Sequence, residues 1–266
     1  MNKKLLLFIL AVCLVSIFQA GCQVNPVTGE KQFSLVSQEE AKTMGLNYSK
    51  QIEKEMGESV KDEQLQAYVN SVGQKIAAVS HNPTYGFSYK AIDHNSVNAF
   101  ALPGGYIYIT TGLLKELNSE AQLAAVLGHE TAHVTARHIE SQITNSYIMS
   151  IGVNALGSAN SAAGSLGEIV ASLQSMSFSR ADEKQADAVG LGYMVKAGYT
   201  PNGMIETMEI LQKQSNSRTI EFFSTHPSPE NRIGLLKEEI FNNRYSTNGK
   251  IGKEEYFLKV TDRLKK

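Results

Sequence analysis

Cysteine is scarce in this chain. There are two, Cys13 and Cys22, and Cys13 lies inside an apolar run near the N-terminus. If that run is removed, no disulfide can close within the protein, and a packed core must hold the fold. Excess charge of one sign is also missing: 25 Lys and Arg stand against 26 Asp and Glu, a formal charge of −1. There is then no basic surface for nucleic acid, and that partner class drops out. Long hydrophobic runs are missing too. The stretch from Leu5 to Phe18 falls short of the roughly 20 apolar residues that a membrane-spanning helix needs.

What is present begins with that stretch. Lys3 and Lys4 precede it and Gln19-Ala20-Gly21-Cys22 follow it, the order of a secretory signal. Small residues just before a cysteine resemble the lipobox of bacterial lipoproteins, although Gln19 departs from the usual aliphatic residue. Ordinary secretion is the alternative, but neither Ala20 nor Gly21 has a small residue two places earlier. The expectation is a signal peptide over 1–21, lipidation at Cys22, a linker over 22–36 and one domain over 37–266. About 245 residues suffice for one sizeable core. Gln23 rather than Asp after Cys22 favours the outer membrane, by analogy with other lipoproteins of cells with two membranes. The expected location is the cell envelope, anchored by lipid and facing the periplasm.

Hydrophobic spacing predicts a mainly α-helical fold with a small β-sheet (α+β). Ser37 and Glu40 form a capping box before Ala41, Met44, Tyr48, Ile52 and Met56, spaced by three and four. Leu65, Tyr68, Val69, Val72, Ile76 and Val79 mark a second amphipathic helix. The period then changes: Phe87, Tyr89 and Ala91 alternate with polar residues, as in a half-buried strand. Pro103-Gly104-Gly105 turns into the β-forming Tyr106–Thr110. Residues 141–179 hold one charge, Glu168, among many Ser, Ala and Gly; they read either as a lid or as a helical hairpin. A helix is predicted from Arg180 to Ala197, closed by Gly198 and Pro201. A basic tail ends the chain, and neither repeats nor a second domain are found.

The chemistry concentrates in "LGHETAHVTARH", Leu127 to His138. His129 and His133 stand four apart, about 40° from each other on a helix, so their rings can converge on one ion. Glu130 lies about 100° round from His129, beside the ion and free to act as a base on water. Apolar residues line one side of this helix and small ones the other, so both sides are expected to be buried. Two histidines and a glutamate buried without partners would cost on the order of 1–3 kcal/mol each, which a metal relieves. His138 falls about 180° from His129 on a straight helix and cannot share the ion there, so it reads as structural or exposed. Ala136 and Ile139 stand where an extended motif would need Gly and a third His, so the third ligand comes from elsewhere.

"SRADEKQAD", Ser179 to Asp187, is the best source. Glu183 and Asp187 share a helix face that Gly190 and Met194 continue, and Ala186 and Gly190 are small enough for a close helix crossing. Glu183 is assigned as third zinc ligand, with Asp187 holding the free N–H of a ligating histidine. Asp182 competes as ligand but points about 100° away. Three protein ligands to one zinc ion leave a place for water, the arrangement of a catalytic site.

These residues resemble the metallopeptidase family of the CAAX prenyl proteases. The likeness rests on His129-Glu130-Thr131-Ala132-His133, on Ser179-Arg180-x-x-Glu183-x-x-Ala186-Asp187 and on Thr225-His226-Pro227. "NAFALPGGYIYITTGLL", Asn98 to Leu114, resembles the same family's segment before its zinc helix. "NPVTGEKQFSLVSQEE", Asn25 to Glu40, narrows it to the bacterial periplasmic and mitochondrial quality-control branch. The resemblance spans about residues 25–235. It implies a gluzincin fold with the zinc site between two buried helices, and a zinc endopeptidase of unfolded or misassembled membrane-associated proteins. It also implies that the strand Tyr106–Thr110 lies along the cleft, where a sheet edge could hold an extended peptide; an internal strand is the alternative. No long membrane-spanning helix and no appended helical-repeat region accompany these motifs. His226 reads as an oxyanion donor, a fourth ligand that keeps the enzyme latent, or a surface histidine. Arg180 and Arg232 read as partners of the Glu/Asp cluster, of a substrate carbonyl, or of ordinary ion pairs. The rival function is a zinc-stabilised chaperone or scaffold, against which the intact Glu130 argues; an aminopeptidase would need an acidic amine-binding group that no motif identifies.

Overall fold

A computed structural model of the chain describes residues 22–155, 177–217, 220–227 and 231–265. The expected signal peptide and the middle of the 141–179 stretch lie outside the described residues. The chain starts as an antiparallel pair, β1 (Cys22–Val24) with β2 (Lys31–Phe33). Asn25 closes the turn, its side-chain oxygen accepting from Val27 and Thr28. Its amide also donates to Ala136 O at 2.9 Å, and Leu35 N–H donates to Thr144 Oγ1 at 3.1 Å. The stretch expected as a linker is thus a hairpin docked on the body of the protein.

Two amphipathic helices follow, α1 (Gln38–Glu55) and α2 (Glu63–Ala78). The Ser37–Glu40 capping box is formed in full, and Asp62 caps α2. Leu65, Val69, Val72 and Ile76 enter the core. A three-stranded sheet comes next: β3 (Ser88–Ile92), β4 (Ala99–Leu102) and β5 (Tyr106–Thr110), in the order β3-β5-β4. β5 runs parallel to β3 and antiparallel to β4. The tight turn Pro103–Gly105, with Gly104 and Gly105 at φ of 79° and 86°, folds β4 back against β5.

This corrects the expectation that Tyr106–Thr110 is the strand at the cleft. β5 is the inner strand, its hydrogen-bonding groups taken on both sides, and β3 and β4 are the sheet's two edges. Ile107 is the pivot, opposite Tyr89 on one side and Ala101 on the other.

Short α3 (Thr111–Glu116) leads to α4 (Glu120–Thr135), the histidine helix, whose residues are buried along its whole length. α5 (His138–Ala155) turns away from it; α6 (Arg180–Lys196), α7 (Asn202–Ser217), α8 (Phe222–Thr225), α9 (Arg232–Asn242) and α10 (Lys253–Tyr256) pack around it or beyond. The expected α+β architecture is what forms. Within the 141–179 stretch, α5 accounts for the residues up to Ala155. Among the described residues no helix is long and apolar enough to cross a membrane.

The expected basic tail is not free. Its anchor is Glu120, fully buried at the start of α4. Glu120 accepts from Tyr68, Tyr199, Lys75 and Lys250 at 2.6 to 3.1 Å. Glu120 N–H and Ala121 N–H donate to Gly252 O and Ile251 O, Tyr256 donates to Leu114 O, and Arg263 pairs with Asp62. Burial alone would raise the Glu120 pKa, but the hydrogen bonds from Lys250, Tyr199, Lys75 and Tyr68 outweigh it and bring the carboxyl down to about 2. A folded-state pKa below the unfolded value adds stability above pH ~4.5 that is lost as pH falls through about 2. Glu120→Gln is therefore expected to lose about 2 kcal/mol at pH 7, with the gap to the parent closing below pH ~4.5, as read by urea unfolding across pH.

Candidate metal centre

The site begins with a close helix crossing. α4 and α6 pass so near each other that a Cβ on Gly190 would lie 2.8 Å from Gly128 C and from His129 N. Buried Ala186 extends the contact. Only hydrogen side chains fit there, and the face carrying Glu183 and Asp187 is thereby pressed against the face carrying His129 and His133. Ser179 and Asp182 form a capping box at the start of α6, which occupies Asp182 and leaves Glu183 to turn inward.

Four side chains converge: His129, His133, Glu183 and His226 each offer one ligand atom, all within 4.8 Å of one another. His129 Nε2 is 3.0 Å from His133 Nε2 and 3.3 Å from His226 Nδ1. Glu183 Oε1 is 3.3 Å from His133 Nε2 and 2.9 Å from His226 Nδ1. Donors set tetrahedrally at zinc's 2.0–2.1 Å are spaced about 3.3 Å apart, which matches these separations. His129 Nδ1 meets Asp187 Oδ1 at 3.0 Å. That places the His129 N–H on the carboxylate and turns the Nε2 lone pair into the cluster. The donor set, the spacing and the tautomer all fit one zinc ion.

Residues 63–240 match Peptidase family M48. The chain belongs to that family. It is 30% identical over 229 residues to the β-barrel assembly-enhancing protease of Escherichia coli O157:H7, covering 81% of this chain and 47% of that protein. It is 32% identical over 219 residues to the mitochondrial metalloendopeptidase OMA1 of Schizosaccharomyces pombe, covering 80% and 65%. The metalloprotease YcaL of Escherichia coli K12 matches at 27% over 62% of this chain and 68% of that protein. The chain spans about half the length of the assembly-enhancing proteases it matches. The kinship with CAAX prenyl proteases is the coarser one; M48 is the family shown.

Around the M48 cluster the carboxylates of Asp187 and Glu183 have neighbours of opposite sign. Arg232, 1% exposed, grips Asp187 through Nε at 2.5 Å and Nη2 at 2.6 Å, and its Nη1 lies 3.2 Å from Glu183 Oε2. Of the roles open to Arg232, the Glu/Asp cluster is the one the geometry selects; Arg180 lies exposed at the start of α6. Burial would raise the pKa of Asp187 and Glu183. For Asp187 the charge and hydrogen bonds of Arg232 and His129 win, and for Glu183 the imidazoles of His226, His129 and His133 win, so both carboxyls sit below their ordinary range.

Glu130 is different. It is fully buried, neither oxygen has a hydrogen-bond partner among the described residues, and burial pushes its pKa up despite His226 and His129 nearby.

His226 is no surface histidine. It caps α8, stacks on Phe222 at 4.5 Å and lies with its Nε2 3.6 Å from Glu130 Oε1. Phe178 N–H donates to Thr225 O, which ties the residue before α6 to this corner. His138 is buried as well, and it touches a cluster member: its Nδ1 is 3.0 Å from His133 Nδ1. The straight-helix projection fails because α4 ends at Ala136 and Arg137 takes φ +60° before α5 begins. His138 stays outside the convergent set, but it is a buried neighbour of His133 that spacing alone missed. A cleft opens onto His226, lined by Phe100, Ala101 and Leu102 of β4 together with Ile139 and Phe178.

Removing the Arg232 charge leaves two buried carboxylates facing each other. Arg232→Met is expected to destabilise the metal-free protein by about 3–5 kcal/mol in equilibrium urea unfolding.

Proposed function

We propose that the protein is a zinc-dependent endopeptidase of the cell envelope that cleaves unfolded or misassembled membrane-associated proteins. The observation that carries the catalytic reading is Glu130, a carboxylate buried without a hydrogen-bond partner among the described residues, beside a convergent His129–His133–Glu183 set. Membership of M48 supports it.

In this reading His129, His133 and Glu183 hold one zinc ion and Asp187 orients His129. The ion supplies Lewis acidity, making water nucleophilic near neutral pH and polarising the peptide carbonyl. Glu130 takes the proton from the attacking water and delivers it to the departing amine nitrogen. Burial raises its pKa, which makes it the stronger base for that proton. The free edge of β4 lies along the cleft and can receive an extended chain through main-chain hydrogen bonds, which asks for unfolded substrate and little sequence. The likeness to β-barrel assembly-enhancing proteases supports substrates among envelope proteins. Lipidation at Cys22 would anchor the protein facing the periplasm, on the outer membrane.

A second state is favoured by one observation: His226 Nδ1 stands inside the ligand set. With four protein ligands the centre is closed, and proteolysis is latent, as a chaperone or scaffold would tolerate. Released from the cluster, the same ring is placed to stabilise the oxyanion.

The test compares the parent with Glu130→Gln for bound zinc and for digestion of casein. Both are expected to hold about one zinc, with cleavage falling roughly 10²–10⁴-fold in the variant. Failure of both folded proteins to hold zinc would sink the ligand assignment. His226→Ala is expected to keep zinc; faster cleavage means that His226 restrains the enzyme, slower cleavage that it serves the oxyanion. Cys22→Ala should move the protein from the membrane fraction to the soluble fraction.

A further inference from the structure

On the nitrogen turned away from the cluster, His129 has a carboxylate to fix its tautomer, but no carboxylate meets His133 Nδ1. That nitrogen faces another histidine. His138 Nδ1 lies 3.0 Å away, and on the far side of that ring His138 Nε2 lies 2.8 Å from Gln185 Oε1. The rings of His133 and His138 meet nearly edge-on, centroids 5.0 Å apart at 73°. Phe178 covers His133 from another side, centroids 3.9 Å apart.

We infer that His138 and Gln185 are positioning residues for the metal centre, forming a hydrogen-bond relay that sets the tautomer of His133. The inference rests on the ligand assignment proposed above. The logic runs from the outer end inward. An amide oxygen only accepts, so His138 carries its N–H on Nε2. The Asp182 carboxylate, with Oδ1 3.6 Å from the same nitrogen, favours the proton on that side by its charge. The Nδ1 of His138 is then a bare acceptor, so His133 must place its own N–H on Nδ1. The Nε2 of His133 is left as a lone pair directed into the cluster, 3.3 Å from Glu183 Oε1. Reversing the outer group reverses everything inward. A donor at position 185 would put the proton on His138 Nδ1 and drive the His133 N–H onto Nε2, against the metal.

One helix therefore serves both histidines, from two of its sides. α6 supplies Asp187 to His129 and Gln185 to His138, with Glu183 between the rings. The two arms differ in where the anion sits: His129 leans directly on one that Arg232 neutralises, whereas His133 leans on an imidazole with the Asp182 carboxylate only at its outer end. The break at Arg137 makes the second arm possible, because it swings His138 back over the end of α4.

The experiment measures zinc affinity of the purified full chain by competition with a chromogenic chelator, and the absorption spectrum of the cobalt-loaded protein. Circular dichroism of each metal-free variant checks the fold. Gln185→Glu keeps an acceptor and is expected to bind zinc as tightly as the parent. Gln185→Lys presents only a donor and is expected to bind about 10-fold more weakly or worse, with an altered cobalt spectrum. His138→Leu removes the acceptor and is expected to weaken binding by about 10–100-fold, while His138→Asn, which retains an oxygen near Nδ1, recovers most of it. Affinities within threefold of the parent for both Gln185→Lys and folded His138→Leu would overturn the relay. Should His138→Leu not fold, the Gln185 pair decides alone on the same criterion. His133→Ala separates the two levels: parental affinity there overturns the ligand assignment itself and the relay with it, whereas lost affinity there with an indifferent position 185 overturns only the relay.

Discussion

Everything at the centre depends on how closely α4 and α6 cross. Gly128 and Gly190 meet backbone to backbone: an added methyl group at Gly190 would collide with main-chain atoms of the other helix, and one at Gly128 would press on Gly190 O at 3.0 Å. At this separation a carboxylate on a short stem reaches histidines on the facing helix. One larger side chain at the crossing would move Glu183 out of range of both rings. The packing and the chemistry are the same contact seen at two scales.

That closeness creates an electrostatic problem, since it buries Glu130, Glu183, Asp187, His129, His133 and His226 within one small volume. Isolated charges of this kind are expensive to remove from water. Arg232, delivered from α9, balances Asp187 and leans on Glu183. The imidazoles balance the rest of Glu183, and a zinc ion suits the nitrogens that face one another. Glu130 has only the more distant His226 imidazole, 3.6 Å away, and no hydrogen bond to either oxygen among the described residues. It is the residue in this volume whose carboxyl burial shifts upward rather than down.

The surroundings serve that arrangement from a distance. Glu120 locks the start of α4 to the C-terminal segment through Lys250 and the Gly252 turn, while the N-terminal hairpin grips its far end through Asn25 and Ala136. The histidine helix is therefore held at both ends by segments that sequence reading took for a tail and a linker. Neither has the hydrophobic period of a core element, so pattern alone gave no sign of where they dock. The sheet shows the same limit. Composition marked Tyr106–Thr110 as a strand, but strand order depends on where a distant partner lands, and β3 claimed the side expected to be free.

What the sequence determined by itself was everything set by local geometry. Residues four apart share a helix face, so His129 with His133 and Glu183 with Asp187 could be paired before any fold was known. Capping boxes at Ser37 and Ser179 marked helix starts, and the small residues Ala186 and Gly190 announced a close crossing. The tertiary structure decided what depends on separation in the chain. His226 entered the ligand set from 43 residues beyond Glu183, Arg232 became the counter-ion, β4 became the edge at the cleft, and His138 turned back onto His133 through a single left-handed residue. Helical spacing propagates only as far as the helix remains unbroken; past Ala136 the position of each side chain is set by packing, which no local pattern encodes.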